Sequence, residues 1–384
     1  MKSFLSAAIA LGLCLFAQGV QAQWISAQRL TWNLGASESP SVDVDGSGHL
    51  HVVWNDDTPG NEEIYYKRST DGGATWSPAK RLSWNTGSSE LPAIAAGLSG
   101  NLHVVWQEST PGNGEIYHIK STDGGDTWSA GQRITWNSGA SIDPVMAAAA
   151  DGLLHLGWAD STYYNMEIYY KQSSDSGVTW MEKKKLTGNS GRSWRPFVVA
   201  ASAADLHLVW EDDTPEANVP EIYYTKSTDG GSSWASCRRL TYTSGSSLNP
   251  DLTVDPSGNL HLVWEDSTSA SYEIFYKKSS DAGATWTSGK RLTWTPDMSR
   301  ISDIVADPSG QLHVVWRDRT PGNYEVYYKK STNGGTAWST NRRLTWNSGE
   351  SYNPVIAVDP TGSVHVIWFD DTPGNFELYY KKRT

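Results

Sequence analysis

The chain has 384 residues, and its Lys+Arg count of 31 against 42 Asp+Glu sets a formal net charge of −11. This acidic balance, with no basic run, excludes nucleic acid and anionic membrane as main partners. With 20 Trp, 18 Tyr and 35 Gly but only 2 Cys, disorder and a disulfide framework are also excluded, and packed short strands joined by turns are favoured.

At the N-terminus, Met1-Lys2 is a positive start, Phe4 to Ala17 is apolar but short for a bilayer, and Val20-Gln21-Ala22 is a small-x-Ala cleavage pattern. Residues 1–22 are therefore predicted to be a signal peptide. Residues 23–384 would be a secreted, periplasmic or extracellular mature chain. The alternative is lipidation at Cys14, where Leu13 stands in the position that wants Gly, Ala or Ser. No later stretch is apolar enough to cross a membrane, and Cys237, the remaining cysteine, is expected to be a small buried hydrophobe.

After Gln23 one unit repeats. Leu50-His51-Val52-Val53-Trp54 recurs around His103, His155, His207, His261, His313 and His365, at intervals of 52 residues and once 54. Within each unit four strands are predicted, in the first copy Pro40 to Asp45, Leu50 to Trp54, Ile64 to Ser69 and Lys80 to Trp84. These runs are rich in Val, Ile, Tyr and Trp and are separated by turn chemistry such as Asp255-Pro256-Ser257-Gly258. Tandem four-stranded units of this length predict an all-β, seven-bladed β-propeller. The last copy stops after its third strand, and Ala27 to Asn33 matches a fourth strand. The N-terminal strand is therefore expected to complete the last blade and remove the free edge. Departures from the repeat fall in blades three to six, among them Tyr163-Tyr164, the insertion within Pro215 to Pro220, and Ser269-Ala270-Ser271-Tyr272.

Between strands three and four stands Ser69-Thr70-Asp71-Gly72-Gly73-Ala74-Thr75-Trp76. It recurs around Asp123, Asp175, Asp229 and Asp281, and with Asn333 in place of Asp. The pattern resembles the Asp box, or BNR repeat, of the sialidase-like superfamily, over the whole mature chain. Physically it reads as a hairpin clasp whose carboxylate collects backbone N–H groups, with calcium or ligand binding as the functional alternative.

What the resemblance implies for activity is divided, because the superfamily holds sialidases, other glycosidases, lectin-like modules and assembly factors. Its sialidases are usually six-bladed, and carry an Arg-Ile-Pro tripeptide, three carboxylate-binding arginines, a Tyr-Glu pair and an Asp acid. The tripeptide is absent; Ser193-Trp194-Arg195-Pro196 and Ser299-Arg300-Ile301-Ser302 are partial matches. On this reading Arg195, Arg300, Arg317 and Arg319 would be carboxylate clamps and Tyr272 or Tyr324 the nucleophile.

Strand alternation puts the Asp boxes on one face and two sets of carboxylates on the other, where the superfamily's ligand sites lie. One set, two residues after the repeated Trp, is Asp56, Glu108, Asp160, Asp212, Asp266, Asp318 and Asp370. The other, opening strand three, is Glu63, Glu115, Glu167, Glu221, Glu273, Glu325 and Glu377. They are expected either to bond loop amides and hydroxyls such as Thr58, or to grip sugar hydroxyls or a divalent cation. The seven histidines are expected to be buried within their own blades, too far apart to share zinc. No cofactor is expected, calcium being the one alternative. The expectation is a secreted, monomeric, non-catalytic propeller for glycans or a cell-surface or extracellular protein. A sialidase-like exo-glycosidase is the second reading and a protein scaffold the third.

Overall fold

The computed structural model describes residues 23–384 except 98, 99, 111, 150, 163, 164, 215–218, 269 and 270. The signal peptide expected at residues 1–22, Tyr163-Tyr164 and most of the blade-four insertion lie outside the described residues. The strands form seven four-stranded antiparallel sheets. Blade one comprises Ser37–Val44, Leu50–Asp56, Glu63–Ser69 and Lys80–Arg81. The first strands of successive blades face one another around the central channel. The second strand is buried along its whole length. Adjacent blades cover both its faces, which is why Leu-His-Val-Val-Trp lacks a polar alternation.

Two strand boundaries differ from expectation for a physical reason. The first strand begins at Ser37, because a bulge between Glu38 and Ser41 lets Ser37 and Glu38 still pair with Asp56 and Asn55. The fourth strand is only Lys80–Arg81. Beyond it the Ser83 hydroxyl accepts the Ile64 N–H at 2.8 Å, so a side chain replaces main-chain pairing.

The ring closes as the repeat count requires. Gln28 and Arg29 pair with Tyr380 and Tyr379 of blade seven, and Leu30 is buried there. Trp24 packs edge-on against Tyr328 at 5.0 Å, the place that Trp76 takes against Tyr380 at 5.2 Å. Each Asp box clasps the preceding blade. Asp71 accepts the Thr75 N–H at 2.9 Å and bonds the Ser69 hydroxyl at 2.8 Å. These bonds hold its carboxyl down at about 2. Gly73 has φ +88°, and a Cβ there would meet the Tyr380 hydroxyl at 1.9 Å, so the close approach of the preceding blade demands glycine.

The histidines are indeed held inside their blades. His51 bonds the Tyr66 hydroxyl at 2.8 Å through Nδ1, and His261 also reaches Asp255 of its hairpin turn at 3.1 Å through Nε2. Blade three has Ala149 where blade one has Asp45, and His155 Nε2 is buried without a partner. Burial pushes His155 down to about 4, so it is neutral at pH 7. Ala149→Asp is expected to add the missing acceptor and cap the turn, stabilising by about 1 kcal/mol and raising the melting temperature by about 2 °C. An unchanged or lower melting temperature would contradict this account of the turn.

Cys237 corrects an expectation. It is exposed rather than buried, because it precedes an outer edge strand, Arg238–Arg239. Its Sγ turns back to the Leu186 carbonyl at 3.4 Å, and desolvation of the thiol pushes it up to about 11.

Candidate binding site at the channel mouth

The fourteen carboxylates expected on the face opposite the Asp boxes are there, but the structure turns them inward. Asp56, Glu108, Asp160, Asp212, Asp266, Asp318 and Asp370 are at most 1% exposed, and Glu63, Glu115, Glu167, Glu221, Glu273, Glu325 and Glu377 at most 3%. Asp56 accepts from the Ser37 hydroxyl at 2.7 Å and the Thr58 N–H at 3.0 Å. Glu63 accepts from Arg81 at 2.7 Å and the Asn85 N–H at 2.9 Å. The outer-strand arginines Arg29, Arg81, Arg133, Arg239, Arg291 and Arg343 all pair with these glutamates. In blade three Lys185 meets Glu167 at 3.2 Å. Engaged by internal donors, with only Glu325 Oε2 and Glu377 Oε2 buried and unpartnered, these carboxylates hold the loops and leave little acceptor capacity for a ligand. Among the described residues no group of three or more His, Cys, Asp or Glu is arranged to hold a metal ion.

What varies between blades lies closer to the axis. The first strand opens with Ser in all copies, and its next two positions then change from blade to blade. The third position reads Ser39, Leu91, Asp143, Arg195, Asn249, Ile301 and Asn353, and all seven have φ between 41° and 52°. That left-handed conformation is costly for Leu91 and more so for the β-branched Ile301. The bulge imposes it, and it places these seven residues around a mouth of about 340 Å³. The sixth residue of strand two and the residue before strand three vary likewise, and the former pairs directly with the second residue of strand one, as Arg317 does with Arg300.

Blades five to seven assemble one cluster from these positions. Arg300 bonds Glu265 at 2.6 and 3.1 Å and lies over the Tyr272 ring at 4.3 Å. Arg317 lies over Tyr324 at 4.7 Å and Tyr352 at 5.0 Å, with Arg319 at 5.8 Å from Tyr324. Tyr352 continues onto Phe369 and Phe376, each at 5.7 Å. Arg317 donates to Asn353 at 3.4 Å, its Nε is buried without a partner, and it has no ion pair among the described residues. Burial, and the Arg300 cation beyond it, pull Arg317 below its ordinary value while Tyr324 opposes them. A desolvated guanidinium lacking a counter-ion is a site for an anion. Arg195 stands one blade away, 3.3 Å from Glu211. Asn249 links the two groups, its N–H donating to Glu211 at 2.7 Å and its side chain to Glu265 at 2.9 Å. The structure thus unites Arg300, Arg317, Arg319, Tyr272 and Tyr324, with Arg195 at the cluster's edge. No carboxylate bonds the hydroxyl of Tyr272 or Tyr324 among the described residues.

Across the channel, blades one and two are acidic. Asn55 donates to Glu62 at 2.8 Å, and burial, reinforced by Asp57, Glu38 and Glu90, pushes Glu62 up to about 7. The mouth is therefore polarised, basic and aromatic on one side and acidic on the other. Glu211 is also pushed up to about 7, by burial that outweighs Arg195. A carboxyl raised in the folded state contributes stability below its unfolded value near 4.5 and loses it as pH rises through about 7. Glu211→Gln should therefore gain on the parent chain by on the order of 3 kcal/mol between pH 4.5 and 8, in paired denaturant titrations. A difference that does not change with pH would contradict the raised carboxyl.

Comparison with known proteins agrees with this architecture. A family profile described as a BNR repeat-like domain matches residues 63–245. A sialidase of Bacteroides fragilis (strain YCH46) is 22% identical over 310 residues, which is 76% of this chain and 50% of that protein. The chain thus spans about half the length of that curated relative. An ulvan lyase structure superposes with a TM-score of 0.67 at 9% identity, covering 92% of this chain and 95% of its own. A Dyadobacter fermentans protein of unknown function gives 0.60 at 12% identity, over 94% and 98%. A Penicillium chrysogenum α-L-arabinanase complexed with arabinobiose gives 0.54 at 16%, also over 94% and 98%. At these identities the structures speak for the fold.

Proposed function

We propose that this chain, an Asp-box propeller similar to the sialidase-like superfamily, is a carbohydrate-binding protein whose channel mouth holds an acidic saccharide without cleaving it. The observation that carries this reading is Arg317, a largely buried guanidinium flanked by Tyr324 and Tyr352 that forms no ion pair among the described residues. A sugar carboxylate or sulfate would supply that counter-charge, and the tyrosine and phenylalanine faces would pack against the ring's C–H surface. Carbohydrate-active relatives and structural neighbours are consistent with a saccharide ligand.

The same geometry supports binding without cleavage. A tyrosine nucleophile needs a base within hydrogen-bond reach, and Glu265, the carboxylate of this cluster, is engaged by Arg300 and the Ile301 N–H at 2.8 Å. Purified mature chain is therefore expected to show no turnover of aryl sialosides or of arabinofuranosides. A glycan array run with and without calcium should show retention of acidic saccharides. Turnover that disappears in Tyr272→Phe or Tyr324→Phe would replace the binding reading with a hydrolase.

A further inference from the structure

The chain's 20 tryptophans divide by position. Seven sit in the second strands and are buried, Trp54 to Trp368. Six follow the Asp boxes, and Trp24 takes the seventh such place; all seven lie edge-on to a ring of the neighbouring blade. Trp194 is at the mouth. That leaves Trp32, Trp84, Trp136, Trp294 and Trp346, each three residues beyond the outer-strand arginine. With Tyr242 in the equivalent place they are 66–73% exposed. Folding does not explain them, because exposing an indole forgoes burial that the other tryptophans obtain.

Each ring is held by cations from its own molecule. Arg343 lies 5.7 Å and Lys381 5.5 Å from Trp346; Arg29 and Lys67 take the same places around Trp32, at 5.8 and 5.5 Å. Lys381 belongs to the next blade and is fixed by donating to the Leu344 carbonyl at 2.6 Å. Between the two blades a notch of about 280 Å³ opens beside Trp346, with Asn347, Asp370, Thr372, Tyr379 and Lys381 around it. Beside Trp32 the same places in the repeat are Asn33, Asp56, Thr58, Tyr65 and Lys67. In blade three's place Gly188 stands in the series, so six of the seven places carry an aromatic ring; the asparagine is Thr243 and Thr295 beside Tyr242 and Trp294, and the lysine is Ile119 beside Trp84.

We propose that this outer belt is a set of six related subsites for a neutral polysaccharide, separate from the mouth and independent of its reading. One aromatic face beside hydroxyl, amide and ammonium groups matches a pyranose, which has an apolar C–H face edged by hydroxyls. The rings stand one per blade rather than side by side, so they do not form the contiguous apolar patch that a protein partner or a second copy would cover. Cations already placed against each ring disfavour a cationic ligand. Six weak subsites on one rigid ring add through a long chain that touches several at once.

The test is affinity electrophoresis of the mature chain through gels containing mannan, xylan or laminarin. Retention is expected in at least one gel, with a shift in tryptophan emission on adding the same polymer. Trp84→Ala should weaken retention about 2-fold, and the triple variant Trp84→Ala, Trp294→Ala, Trp346→Ala at least 10-fold. The melting temperature should change little, since the removed side chains are exposed. Arg317→Ala should leave this retention unchanged. Retention in none of the gels, or an unaffected triple variant, would overturn the belt. A concentration-dependent dimer that the triple variant abolishes would overturn it as well, assigning the rings to a second copy. If Arg317→Ala alone removes all saccharide binding, the belt falls and the mouth reading stands. If only the triple variant loses binding to these neutral polymers, the belt stands, and the mouth reading rests on its own test with acidic saccharides.

Discussion

Removing Gln23 to Asn33 is expected to abolish cooperative folding at 25 °C. The deletion takes the outer strand from blade seven and with it Leu30, which is 2% exposed; loss of such a side chain costs about 2–5 kcal/mol. It also strips Glu377 of Arg29 at 2.7 Å and the Asn33 N–H at 2.9 Å, leaving a fully buried carboxylate. An unpaired buried charge costs about 3–5 kcal/mol. Together with the lost Trp24–Tyr328 contact, these consume a stability margin of roughly 5–15 kcal/mol. The freed edge of Glu377–Arg383 would then pair between molecules. Thermal melting followed by circular dichroism and light scattering checks this. A melting curve like that of residues 23–384 would refute closure by the strand at Gln28–Arg29.

Arg317→Ala carries the second large effect. A charge-assisted bond to a sugar carboxylate or sulfate is worth about 1.5–3 kcal/mol, so affinity for an acidic oligosaccharide should fall about 10- to 100-fold by titration calorimetry. Arg317→Lys should recover only part, because a point charge lacks the guanidinium fork. Tyr324→Phe should change affinity little, since the ring and not its hydroxyl faces Arg317. Equal binding by Arg317→Ala and the parent chain would remove the mouth from the account.

The architecture was legible in the chain itself because repetition multiplies weak signals. One Leu-His-Val-Val-Trp run is ambiguous, but seven in register are strands, and an unpaired fourth strand at the far end has one place to go. The carboxylates were legible in position but not in exposure. Asp56 and Glu63 look like free acids in a loop-rich rim until Ser37, Arg81 and Asn85 converge on them from 18 to 22 residues away, with only Thr58 close by in the chain. The mouth was legible only in fragments. Arg300 and Arg317 stood out as departures from the repeat, but their pairing depends on the register of strands one and two. The bulge that turns residues such as Ile301 to positive φ is not marked by its own residue, which is Ser, Leu, Asp, Arg, Asn or Ile, but by its flanks, a Ser two places before and, in six of seven copies, a Pro directly after. Comparing the copies position by position would have exposed the four variable places, as it exposes the outer Trp series.

The most direct measurement is hydrogen–deuterium exchange on the mature chain, free and saturated with an acidic oligosaccharide that it retains. Protection is predicted at Ser247–Val254, Ser299–Ala306 and Ser351–Val358 and in the loops before Glu273, Glu325 and Glu377, with the Asp-box turns unchanged. Protection at the Asp-box turns, or spread evenly over all blades, would contradict a site at the mouth of blades five to seven.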